Sequence, residues 1–234
     1  METEAETVQI DEELAEEMAR EGVVFSHKKS KAHPAMRRYI SANRHEIDIL
    51  DGVYALESID RAAEYISELL KRGGIILFVG TTAPSKESVQ EFAESLGQPY
   101  VTHRWLGGTI TNFKVIRKRV EEYLSMKEKR DKGEFGKYTK KEQVNITSDI
   151  ERRKQKFSTL EKLTRVPDAL FIVDANAHKT AVREAVRKNI PIIAVIDSDD
   201  DPRPISYPII ANDHSYKAVK WVIDRIRKLV MSSE

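Results

Sequence analysis

The run Ile75-Ile76-Leu77-Phe78-Val79 constrains this chain more than any other stretch, because it holds five apolar residues and no polar one. A strand with one wet face alternates apolar and polar positions. An unbroken run of strand length suits a strand covered on both faces, as in parallel sheets with helices above and below. Strands are also expected at Ala169–Val173 and Ile192–Ile196, with shorter ones at Tyr100-Val101 and Pro208–Ile210, while Glu46–Leu50 alternates as a strand does. Helical spacing fills the gaps. Ile59, Ala62, Ala63, Ile66, Leu69 and Leu70 lead to Gly73-Gly74, and Val89, Phe92, Ala93 and Leu96 lead to Gly97. Another helix is expected from about His178 to Lys188, and a last one carries Val219, Val222, Ile223, Ile226 and Val230. Strands alternating with helices predict a doubly wound α/β fold of the flavodoxin or Rossmann type, mostly parallel, with right-handed crossovers.

The alternation breaks once. Phe113, Ile116, Val120 and Tyr123 step by three and four, as do Ile146, Ile150, Arg153, Phe157, Leu160 and Leu163. These are the seams of two long helices. Between them lie Gly133 and Gly136, and Thr139 followed by Glu142 reads as a capping box. Residues 111–165 are therefore expected to form an antiparallel coiled-coil hairpin inserted into an α/β domain made of 22–110 and 166–234. A short acidic tail and helix, residues 1–21, precedes it.

Formal net charge is only +1, but the charges are segregated. Residues 1–21 hold nine acids against Arg20 alone, whereas residues 22–45 hold no acid and six bases, Lys28, Lys29, Lys31, Arg37, Arg38 and Arg44. That basic segment shows neither helical nor strand periodicity and contains Pro34, so it is expected to be an irregular arm. Residues 127–166 carry thirteen Lys or Arg against seven Asp or Glu. Several basic stretches in a neutral chain favour a nucleic-acid partner over a merely solvated surface. The chain has no cysteine, which excludes disulfides and thiolate metal sites. With no apolar run of spanning length and no signal-peptide pattern at its start, a cytoplasmic protein without membrane contact is expected.

At the centre of the chain, His103-Arg104-Trp105-Leu106-Gly107-Gly108 runs through Thr109, Ile110, Thr111 and Asn112 into a basic helix with Lys114 and Lys118. Trp105 either stacks on a base or anchors the turn. Catalytic candidates do not assemble. Gly80 follows a strand and precedes a helix, where a nucleotide phosphate could sit, which makes a nucleotide-binding protein the alternative reading. The chain nevertheless lacks both the G-x-x-x-x-G-K-[ST] and the G-x-G-x-x-G fingerprints. Asp197–Asp201 reads as a polar loop closed by Pro202 and Pro204, and Asp174 as either a ribose contact or a helix cap. His27 and His33 lack a third ligand nearby in sequence and have bases around them, so no metal, cofactor or catalytic residue is expected. Trp221 is expected to pack, partly exposed, on the last helix.

Gly22-Val23-Val24-Phe25-Ser26-His27, the central His103–Asn112 motif, and Pro167-Asp168-Ala169-Leu170 with Asp174, Glu184, Asn189-Ile190-Pro191 and Asn212-Asp213 occur in one order. In that order they resemble the bacterial form of the small-subunit ribosomal protein S-two family, from about Glu16 to about Leu229. Val24 and Ser26 depart from the usual His and Gly, and His178 and Ile210 depart from the family pattern too. The resemblance implies a doubly wound domain with an inserted helical hairpin and no enzymatic activity. It further implies a structural place in the small ribosomal subunit, with small-subunit ribosomal RNA, neighbouring ribosomal proteins and ribosomal protein S-one as partners. No homo-oligomer is expected. The RNA contacts expected are Lys28, Lys29, Lys31, Arg37, Arg38, Arg44, His103, Arg104, Trp105, Asn112, Lys114 and Lys118.

Overall fold

The computed structural model describes residues 12–232, so the acidic tail expected over 1–11 lies outside the described residues. Helix α1 (Glu12–Arg20) leads into strand β1 (Phe25–Lys28), and 3-10 turns over Lys29–Lys31 and Pro34–Tyr39 precede β2 (Ile40–Arg44) and β3 (Ile47–Leu50). Then follow α2 (Gly52–Lys71), β4 (Ile76–Val79), α3 (Lys86–Ser95), β5 (Tyr100–Val101), α4 (Phe113–Asp131) and α5 (Lys140–Phe157). The chain closes with β6 (Ala169–Val173), α6 (Lys179–Arg187), β7 (Ile192–Ile196), β8 (Tyr207–Ile210) and α7 (Tyr216–Ser232).

Five strands form an all-parallel sheet in the order β5-β4-β6-β7-β8. The unbroken apolar runs have the expected cause. Along β6, Ala169, Phe171 and Val173 face one apolar cluster, while Leu170 and Ile172 face a second on the other side. The first layer is built from α2, α3 and α7, contributing Ile59, Phe92 and Val222 among others; the second takes Val182 and Ala185 of α6. A side-chain period of two combined with two buried faces leaves no polar position on the central strands.

The basic segment is not the irregular arm expected. β1 and β2 flank β3 in a separate antiparallel sheet of order β1-β3-β2, so the Glu46–Leu50 strand belongs to this sheet and not to the parallel one. Its β2–β3 connection is a two-residue turn at His45 and Glu46, both with positive φ (49° and 65°). Such turns usually announce themselves as Asn-Gly, which accepts that backbone without strain. Register shifts in both strand pairs blur the remaining periodicity.

Helices α4 and α5 run in opposite directions, since Arg130 pairs with Glu151 while Glu122 pairs with Arg153, each at 3.6 Å. Ile116, Val120 and Tyr123 of α4 meet Ile150 and Phe157 of α5 in the second apolar cluster. The capping box that opens α5 is present: Glu142 N donates to Thr139 Oγ1 and Thr139 N to Glu142 Oε2. Arg117 on α4 donates to the carbonyls of Glu161 and Leu163, tying the start of α4 to the chain leaving α5. Asp168 then accepts from Ile75 N at 2.7 Å and pairs with Arg165, which registers the returning chain beside β4.

Candidate nucleic-acid interface

The small antiparallel sheet turns the basic segment into a fixed surface. Met36 and Tyr39 are buried in the second apolar cluster, His33 N donates to Ser198 O at 2.7 Å, and Ser26 Oγ bonds Asp197. Burying those apolar side chains leaves the charges outward: Lys28, Lys29, Lys31, Arg37, Arg38 and Arg44 are all exposed. None meets a carboxylate among the described residues, and only Arg38 has a contact of its charged end, lying 4.6 Å over the Tyr39 ring. Seven basic residues of the helical pair behave differently. Arg117, Lys127, Arg130, Lys132, Arg152, Arg153 and Lys154 each pair with an acid. Exposed pairs of that kind contribute little stability, but each offsets the charge of its own base.

The central motif is organised by one carboxylate. Glu184, buried on α6, accepts from Trp105 Nε1 (3.0 Å) and Gly108 N (2.8 Å) through Oε1. Its Oε2 accepts from Ile110 N, Thr111 N and Thr111 Oγ1 at 3.0, 3.0 and 2.9 Å. Burial disfavours the charged form, yet the hydrogen bonds from Thr111, Trp105, Gly108 and Ile110 outweigh it and hold the carboxyl below its ordinary range. Gly108 adopts φ +89°, a conformation this loop needs to aim successive N–H groups at one acceptor. Trp105 is thus held by its N–H and partly buried against the second cluster. Around it His103, Arg104, Asn112, Lys114 and Lys118 lie at least partly open to solvent, and none has a side-chain partner among the described residues. Sequence periodicity missed Glu184 as an organiser; the available signal was an acid at a core-facing helical position beside Ala181 and Ala185.

The switch point of the parallel sheet, between the carboxyl ends of β4 and β6, is where a doubly wound fold would take a nucleotide. Here it is filled by protein. His178, buried at the start of α6, accepts from Thr81 N at 3.2 Å, and its Nε2 also lies 3.0 Å from Thr81 Oγ1. Its Nδ1 faces Asp174 O at 2.7 Å. Asp174 does not cap α6, whose N-cap is His178; its Oδ1 accepts from Ala177 N at 2.8 Å and, with a φ of 67°, closes the turn that precedes the helix. Gly80 has a packing reason, because a Cβ there would lie 2.7 Å from Val89 Cγ2 and 2.9 Å from Ser85 Oγ.

The fold brings His27 the neighbours that its sequence surroundings lack. Ligand types absent nearby in sequence arrive from far along the chain: His27 Nδ1 lies 3.2 Å from Asp197 and 3.3 Å from Asp199. His27, Asp197 and His214 bring three possible ligand atoms within 4.8 Å of one another, as do Asp174, Asp213 and His214. Carboxylates and imidazoles so grouped are the donors a divalent cation uses. Burial raises Asp200 and Asp213, and the hydrogen bond to Asp213 raises His214. His33 stands apart, its Nδ1 accepting from Ala35 N. Trp221 packs as expected, donating to Glu17 at 2.9 Å. No described helix is long and apolar enough to cross a membrane.

Residues 18–233 match the family described as ribosomal protein S2. The small ribosomal subunit protein uS2 of Chloroflexus aurantiacus, from strains J-10-fl and Y-400-fl, is 38% identical over 210 residues, covering 90% of this chain and 88% of the relative. With the parallel sheet complete, its ligand crevice filled by His178 and two unpaired basic surfaces outside it, the chain belongs to the ribosomal protein S2 family, structural proteins of the small ribosomal subunit and not enzymes.

Proposed function

We propose that this protein binds small-subunit ribosomal RNA through its basic surfaces and holds neighbouring ribosomal proteins in place, S-one among them as the family resemblance implies. One observation carries this reading. The six cations of residues 22–45 are exposed and unmatched by any described acid, on a segment whose backbone is fixed by Met36, Tyr39 and the Ser198 contact. A polyanion supplies the missing countercharge, and a pre-ordered surface loses less entropy on binding than a loose arm would. Arg104, Lys114 and Lys118 extend the footprint from the second layer, with His103 and Asn112 beside them. Phosphate contacts of this type position the protein on folded RNA without reading base edges, which A-form helices hide. Residues 111–165 act as a coiled-coil hairpin unit reaching from the α/β domain. The interlocked seam and the cross-helix ion pairs support that role.

Sedimentation tests the reading directly. Tagged full-length protein travels with small subunits through a sucrose gradient at moderate salt, and its absence from that peak would end the proposal.

A further inference from the structure

Between the central loop and the helical pair lies a crevice of about 570 Å³, lined by Arg104, Trp105, Arg119, Arg152, Arg153 and Lys156, with Ile116 and Phe157 also on its walls. Its charges do not cancel. Glu122 and Asp149 are its acids, and they are matched within the crevice: Arg153 lies 2.8 Å from Asp149 and 3.6 Å from Glu122, and Arg152 lies 3.3 Å from Asp149. Arg104, Arg119 and Lys156 remain, all exposed and without a partner among the described residues. Three cations without a partner among the described residues thus line one crevice, while the Trp105 indole N–H is already committed to Glu184.

We propose that this crevice takes the phosphodiester backbone of an unpaired stretch of RNA. The inference rests on the RNA-binding reading above and narrows it to one site and one kind of RNA. The volume falls within the range of pockets that take a single small ligand, room for a nucleotide or two. Unpaired nucleotides can turn a phosphate inward and lay a sugar or base on an aromatic ring, and Trp105 offers such a ring held in one orientation. The Arg153–Glu122 pair ties α5 to α4, the helices that carry Lys156 and Arg119.

The test compares Arg119→Gln/Lys156→Gln with Lys140→Gln/Lys141→Gln, an equal charge loss on the exposed start of α5, in the full chain. Binding of single-stranded oligouridylate and of an RNA duplex of equal length is measured against salt concentration. The crevice variant is expected to lower the single-strand salt slope by about 1.4 units, roughly 0.7 for each phosphate no longer neutralised, and to leave the duplex slope unchanged. The control pair is expected to keep both slopes. An unchanged single-strand slope in the crevice variant, or an equal fall in the control, overturns the crevice assignment. Lys156→Gln alone provides the same readout at half the size if the double variant loses stability. If the crevice pair is silent while replacing Lys28, Lys29 and Lys31 lowers affinity, only the crevice falls. If the wild-type chain binds no RNA, the broader reading falls with it.

Discussion

Trp105 Nε1 donates to Glu184 Oε1 at 3.0 Å, across 79 residues of sequence, and that bond joins the loop leading into α4 to the helix following β6. With four further donors on the same carboxylate, Glu184 holds the loop that leads into α4. Glu184→Ala orphans those donors. Hydrogen bonds to a charged acceptor contribute about 1.5–3 kcal/mol each and do not add, so a loss of about 2–4 kcal/mol is expected in urea unfolding. Trp105→Phe removes one donor and keeps a ring, and it should cost less than Glu184→Ala. A Glu184→Ala midpoint within error of wild type would show that the loop holds itself.

The same carboxylate predicts a pH dependence. Its folded pKa lies below the unfolded value of about 4.3, so the unfolded chain binds the proton more readily. The stability it adds is complete above the unfolded pKa and is lost as pH falls through the folded one. Urea melts of wild type and Glu184→Gln should therefore differ most above about pH 5 and converge as the pH drops below about 4. A gap that widens on acidification contradicts the assignment.

Why some of this was readable in the sequence and some was not follows from which signals are local. The runs at 75–79, 169–173 and 192–196 encode two-sided burial by themselves, and the Thr139/Glu142 capping box is complete within four residues, so sheet and helix start were both legible. The small sheet was hidden because its turn uses His45 and Glu46 at positive φ and its pairings slip in register. The cationic residues could be named from charge alone, since exposure of an unmatched base needs no partner to be known. Glu184 and the His27 neighbourhood depend on hydrogen bonds between residues 73 to 171 positions apart, which no window of sequence contains. The crevice cations Arg119 and Lys156 were missed for a similar reason: each looks like an ordinary solvated helix position until α4 and α5 are set side by side.

Gly80 distinguishes packing from ligand binding. An added Cβ meets Val89 and Ser85, both fully buried, so Gly80→Ala should destabilise the protein by about 1–3 kcal/mol through overpacking. Calorimetry of the wild-type chain with ATP, GTP and NAD should give no heat of binding, because His178 holds Thr81 N and occupies the switch point. Micromolar affinity for any of them would restore the nucleotide reading.

Lys28, Lys29 and Lys31 provide the sharpest test of the basic surface because they are exposed, unpaired and close together on β1 and the turn after it. Replacing all three with Gln disturbs nothing buried, so the thermal midpoint should stay put. Every phosphate that goes unneutralised lowers the slope of log affinity against log salt by roughly 0.7–0.9, which gives a fall of about 2–3 units on small-subunit RNA if all three lysines engage. The weakening should be similar across RNA sequences, since phosphates carry no base identity. A slope equal to that of wild type would make the segment a bystander and leave Arg37, Arg38, Arg44 and the α4 start to bind the RNA alone.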